Sequence, residues 1–113
     1  MHEFGIAKNI FDAVCEEARK RNISKVISIK LEVGKLTAIV PDVLDFAFET
    51  ITNGTFLEGT KLEIIDMPFR MRCSNCKNEF EVIDYSYICP RCQGTNCELI
   101  SGDELNIKNL GVE

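Results

Sequence analysis

The sequence predicts a two-layer α/β domain, two helices on one face of a mixed three-stranded sheet, with a four-cysteine module inserted before the last strand. Three observations carry that reading. An apolar stripe at helical spacing runs through residues 3–21, and a period-two alternation runs through 26–33. Two Cys-x-x-Cys pairs, Cys73/Cys76 and Cys89/Cys92, stand twelve residues apart.

In the first segment Ala7, Ile10, Phe11, Val14 and Ala18 recur at three- and four-residue steps, with Lys8, Asp12, Glu16, Arg19 and Lys20 opposite. Glu16–Lys20 and Glu17–Arg21 are i,i+4 pairs of the favourable orientation, and Asn22 is a stop. Cys15 falls at the edge of the stripe as a structural thiol. In the next segment Ile27, Ile29, Leu31 and Val33 point one way and Ser28, Lys30 and Glu32 the other, so one sheet face is covered and the other wet.

Pro41, followed by Asp42 and Asp45, starts a second helix with the stripe Leu44, Ala47, Phe48 and Ile51, closed by Asn53 or Gly54. Val43 and Phe46 lie off that stripe and are expected to pack at the helix edge, with contact to a partner as the competing reading. A second strand runs near 61–67, with a slip in alternation at Ile64/Ile65 that predicts a bulge. A third, near 103–109, places Leu105 and Ile107 inward.

Strand, helix, strand is a crossover unit, so the first two strands are expected parallel. The cysteine segment leaves after the second strand and returns at the third, so those two are expected to pair as an antiparallel hairpin with the module at its tip. The boundaries read as 1–69 plus 99–113 for the α/β domain and 70–98 for the module, with Pro68 and Gly102 as flanking hinges.

Each Cys-x-x-Cys turn points two thiolates at one place, and two such turns complete a tetrahedron around Zn²⁺ with bonds of about 2.3 Å. Four protein ligands leave no open position, so the metal holds structure. Pro90 and Gly94 shape the second turn; Asn75 and Asn78 tolerate left-handed backbone in the first. Arg70, Arg72, Lys77 and Arg91 are near the ligands and offset thiolate charge. Two disulfides are the competing arrangement, disfavoured by the spacing and by a reducing compartment. Cys97, five residues past Cys92, reads as a buried structural thiol, with substitution for a ligand during metal exchange as the competing reading that nothing in the sequence demands.

A net charge of −5 over 113 residues suits neither a phosphate backbone nor a basic nucleic-acid stripe, so no nucleic-acid partner is expected. No apolar run is long enough to span a membrane, and Met1–Gly5 lacks a secretory start, so the expected location is the cytoplasm. The single histidine is His2. With the α-amine, the first amides and the Glu3 carboxylate it forms a nitrogen-rich set of small chelate rings, the donor type that Ni²⁺ or Cu²⁺ prefers. Three residues alone are a weak motif, and coincidence is the competing reading.

Met1-His2-Glu3 opening an amphipathic helix, Leu31-Glu32-Val33-Gly34, Pro41 with Phe46-Ala47-Phe48-Glu49, and the late Cys-x-x-Cys pairs together resemble the HypA/HybF-type hydrogenase nickel-incorporation proteins over essentially the whole chain. The resemblance implies a nickel metallochaperone for [NiFe] hydrogenase maturation. His2 and Glu3, with N-terminal backbone nitrogens, would bind nickel, and Cys73, Cys76, Cys89 and Cys92 would bind zinc in a zinc-ribbon-like module. It also implies two partners, the nickel-handling GTPase of that pathway and the hydrogenase large-subunit precursor. Some relatives have histidines beside the zinc cysteines; this chain has none there. The alternative reading of the cysteines is a zinc-ribbon protein-interaction or transcription adaptor without nickel chemistry. An enzyme is not expected, since no nucleophile–base pair or phosphate loop is present.

Overall fold

The computed structural model describes residues 2–113. In chain order the elements are α1 (His2–Lys20), β1 (Val26–Gly34), a 3-10 turn (Lys35–Thr37), α2 (Pro41–Thr52), β2 (Lys61–Met67), β3 (Arg70–Cys73), β4 (Glu79–Glu81), β5 (Cys97–Ser101) and β6 (Leu105–Val112). They form two three-stranded sheets, ordered β2-β1-β6 and β4-β3-β5. The chain divides into two compact units. The first holds the chain up to Glu32, Ile39–Ile65 and Asn106–Glu113; the second holds Val33–Ala38 and Asp66–Leu105.

The first unit is built on an apolar core. Ala7, Ile10, Val14 and Ala18 of α1 meet Leu44, Ala47 and Phe48 of α2, and Val26, Ile29, Leu31, Leu57 and Leu62 complete the interior. Burying each large side chain contributes about 1.5–3 kcal/mol relative to exposure. Both helical stripes therefore face the core as the spacing predicts, except that Phe11 and Ile51 are only half-buried. Pro41 opens α2 behind an extended Val40 that has no side-chain cap of its own. The carboxylate of Glu3 stands in: its Oε2 accepts from the Val40 N–H at 3.5 Å, from the first turn of α1. Past Asn53, Gly54 takes positive φ and donates its N–H to Glu58 at 2.6 Å.

Phe46, expected at a packed helix edge, is instead 64% exposed, because α2 turns that side outward; Val43 is half-buried. In β1 the burial phase slips. Val26 is buried and Ile27 is exposed, whereas Ile29, Leu31 and Val33 are buried as expected. The β1–β6 ladder accounts for the slip. Gly34 N–H donates to the Glu104 carbonyl at one end and Glu113 N–H to the Lys25 carbonyl at the other. Gly34 and Lys25 are an odd number of residues apart, whereas hydrogen-bonded pairs in a regular antiparallel ladder recur at every second residue. The pairing between them is therefore irregular.

Those bonds also make β6 antiparallel to β1. The expected β2–β6 hairpin is thus replaced by a central β1, which takes a neighbour on each side. Beside it β2 runs parallel, as the crossover requires; Thr60, just before β2, donates its hydroxyl to the Val26 carbonyl at 2.8 Å. In β6, Leu105 is exposed, and Ile107 and Leu110 are among the half-buried positions. Within β2, Leu62 is buried and residues 63–65 are all half-buried, without clean alternation.

The second unit has a sheet of short strands that the sequence pattern does not predict. Here β3 pairs antiparallel with β4, Arg72 facing Glu79, and with β5, Arg72 facing Glu98 and Cys73 facing Cys97. Phe69 is buried beneath Tyr85 and Tyr87, whose ring centroids lie 6.2 and 5.8 Å away. At the positions expected to hinge, Ser101 donates its hydroxyl to the Pro68 carbonyl at 2.6 Å, and the Gly102 carbonyl accepts from Leu36 N–H at 2.7 Å. A Cβ on Gly34 would be driven into that same carbonyl, so backbone meets backbone there.

Candidate metal centres

The two Cys-x-x-Cys turns are built alike. In the first, Cys73 N–H donates to Asn78 O at 2.9 Å and Lys77 N–H returns to Cys73 O at 2.9 Å. In the second, Cys89 N–H donates to Gly94 O at 2.9 Å and Gln93 N–H to Cys89 O at 2.8 Å. Each turn closes by placing the residue just after its second cysteine in left-handed backbone, Lys77 at φ 65° and Gln93 at φ 61°. Neither Asn75 nor Asn78, expected to tolerate that conformation in the first turn, nor Gly94 in the second takes it. The four hydrogen bonds over-determine it, and they hold it for residues with no preference for it.

The sulfurs of Cys73, Cys76, Cys89 and Cys92 converge to within 4.8 Å of one another. Cys73 Sγ and Cys92 Sγ are 3.4 Å apart, and Cys76 Sγ and Cys89 Sγ 3.6 Å. A tetrahedron with metal–sulfur bonds of about 2.3 Å has edges of about 3.8 Å, so the cluster fits one zinc-sized ion. Gly94 lies against it. A Cβ there would sit 2.9 Å from Asn75 Nδ2, 3.3 Å from Cys92 Sγ and 3.6 Å from Cys73 Sγ, leaving no room for a side chain. Asn78, expected only as a turn former, donates Nδ2–H to Cys89 Sγ at 3.8 Å.

The protonation pattern shows what four crowded thiols need. Burial opposes ionisation of Cys89, but the Cys92 and Arg91 N–H groups, the Cys76 thiol and the Asn78 amide hold it down to about 6. The Cys76 N–H, against burial, also holds Cys73 below the usual thiol value. At Cys92 the Gly94 N–H favours thiolate, yet the neighbouring Cys73, Cys76 and Cys89 sulfurs together with burial push it up to about 12. Two thiolates form readily and further ones repel them; a divalent cation removes the conflict. The flanking arginines are shared with carboxylates: Arg72 lies 3.8 Å from Glu79 and 3.7 Å from Glu98, and Arg70 is 4.0 Å from Glu79.

The second candidate lies in the first turn of α1. His2 is exposed, and its Nε2 stands 3.5 Å from Glu3 Oε2. Glu3 is 6% exposed, the one buried charged residue among those described. Local pattern gives Glu3 a ligand's role but not its contact with α2, which nothing in the neighbouring sequence signals. The α-amine belongs to Met1, outside the described residues. The first N–H groups of any helix lack intrahelical partners, so amide nitrogens remain available beside this His/Glu pair.

Fold and sites together describe a small α/β metal-handling protein: a four-sulfur module in one compact unit and a histidine–carboxylate pair in the other. The family model described as "Hydrogenase/urease nickel incorporation, metallochaperone, hypA" matches residues 1–112, and the chain belongs to that HypA family. It is 42% identical to a protein of Nostoc punctiforme named "Hydrogenase maturation factor HypA", over all of this chain and 96% of that one. A Rhodobacter capsulatus protein of the same name is 38% identical over 99% of both. The fold is also that of "Solution structure of the Ni metallochaperone HypA from Helicobacter pylori", at TM-score 0.69 and 23% identity, over 99% of this chain and 97% of that one. No described helix is long and apolar enough to cross a membrane.

Proposed function

We propose that this chain is a nickel carrier, which binds Ni²⁺ through His2, Glu3 and N-terminal backbone nitrogens and delivers it for maturation of [NiFe] hydrogenase. Cys73, Cys76, Cys89 and Cys92 hold a structural Zn²⁺. The observation that carries the nickel reading is the 3.5 Å approach of His2 Nε2 to the buried Glu3 carboxylate, in a chain of the HypA family. A cation at a helix N-terminus opposes the helix dipole. Glu3 and deprotonated amides supply the negative charge that offsets it, which makes the site reversible and favours loading at higher pH. The protein acts as carrier, not catalyst. Its partners are the nickel-handling GTPase and the hydrogenase large-subunit precursor, in the cytoplasm. The nickel domain is centred on residues 1–69 with 99–113 and the zinc module on 70–98, with 33–38, 66–69 and 99–105 folded into the compact unit of the cysteines.

Nickel titration of tag-free protein, His2→Ala, Glu3→Gln and an N-terminally extended form tests this reading. His2→Ala and the extension are expected to abolish tight binding. Glu3→Gln is expected to weaken it at least tenfold, having lost the charge while keeping the shape. Equal affinity in all four forms contradicts the reading.

A further inference from the structure

The second unit contains a fifth cysteine, Cys97, that the tetrahedron does not use. We propose that Cys97 is a reserve ligand of the four-sulfur centre, placed to take the position of Cys92. The inference rests on the zinc reading above and goes beyond it.

Cys97 faces Cys73 across β3 and β5. The adjacent rung is closed by Ser74 N–H donating to Asn96 O at 2.9 Å, so Cys73 and Cys97 are a non-hydrogen-bonded pair. Facing residues in such a pair put both side chains on the same sheet face, with Cα atoms about 4.5 Å apart. Cys73 is turned into the sulfur cluster, and Cys97 shares its face. The Cys97 thiol makes a long contact, 4.0 Å, to the Gly94 carbonyl oxygen and also interacts with the Cys73 sulfur. Gly94 is also the residue on which a Cβ would stand 3.3 Å from the Cys92 sulfur and 3.6 Å from the Cys73 sulfur. One glycine thus joins the spare thiol to both ligands.

The four cluster cysteines are not equally held. Cys73 and Cys89 are buried, Cys76 is half-buried and Cys92 is exposed. Cys92 is therefore the ligand that water, or a competing metal-binding group, reaches first. If it detaches, the neighbouring thiol restores four sulfurs. The exchange is redox-neutral: the metal–sulfur bond to Cys92 breaks, one to Cys97 forms, and the proton leaving Cys97 ends on Cys92.

Co²⁺, as the spectroscopic stand-in for zinc, tests this in the full-length protein through the intensity of sulfur-to-metal charge transfer, which scales with the number of bound thiolates. Wild type and Cys97→Ser are expected to match at four thiolates. Cys92→Ser is expected to keep that intensity, and Cys92→Ser/Cys97→Ser to lose about a quarter of it, one ligand in four. A second readout is alkylation of the zinc-loaded protein: Cys97 reacts in wild type and becomes protected in Cys92→Ser. A quarter loss in Cys92→Ser alone, failure of that variant to hold metal, or continued labelling of its Cys97 overturns the proposal. A wild type that shows fewer than four thiolates contradicts the zinc reading instead.

Discussion

The two compact units reach stability by different routes. In the first, twelve buried apolar side chains from two helices, three strand positions of β1, β2 and a loop exclude water from one interior. In the second, the buried apolar side chains apart from cysteine are Val33, Phe69 and Val82. Ordering a residue costs about 1.5 kcal/mol, which so small an interior cannot offset. Its two turns instead lock four sulfurs at the separations a tetrahedral ion requires. On the proposed zinc reading one unit is held by hydrophobic burial and the other by coordination, and each fails under a different challenge.

Removing the metal should have the largest effect. A structural zinc contributes about 10–16 kcal/mol, so a strong chelator is expected to melt β3, β4 and β5. Hydrogen exchange should then show lost protection across residues 70–101 while α1, α2 and β1 keep theirs. Equal loss in both units would end the distinction drawn here. The complementary break is Phe48→Ala, expected to cost about 3–5 kcal/mol in denaturant unfolding of the helical unit with zinc content unchanged.

A smaller effect is expected at Gly94. Gly94→Ala pushes a methyl group against Asn75 Nδ2 and Cys92 Sγ, and zinc affinity, measured by chelator competition, should fall by about 10–100-fold. Affinity should also depend on pH in a definite direction. In metal-free protein at pH 7, Cys89, at about 6, is mostly ionised, while Cys92, at about 12, is protonated. Zinc takes both as thiolates, so binding releases at least one proton and weakens as pH falls. Calorimetry in buffers of different ionisation enthalpy counts those protons, and a count of zero contradicts the assignment. Smallest of all is Phe46→Ser, expected to stay within about 0.5 kcal/mol of wild type, since that ring is already in solvent.

The sequence is legible where one local rule suffices. Helical spacing finds the core stripes of α1 and α2, Pro41 marks the start of α2, and the Cys-x-x-Cys spacing finds the sulfur cluster. It is not legible where the outcome depends on a distant partner. The phase slip in β1 goes with its irregular pairing to β6, and β6 itself pairs with β1 because a central strand gains two neighbours, a preference that no single segment displays. Strands of three to five residues in the second unit are too short for a periodic signal. Glu3 illustrates the same limit at a candidate site: acid at a helix start is ordinary, and only folding shows that its carboxylate meets Val40.

The most direct test of two separate metal sites is X-ray absorption at the zinc and nickel edges on one tag-free sample carrying both ions. Four sulfurs near 2.3 Å around zinc, with nickel surrounded by nitrogen and oxygen alone, is the predicted result. Sulfur in the nickel shell, or zinc with fewer than four sulfurs, would contradict it.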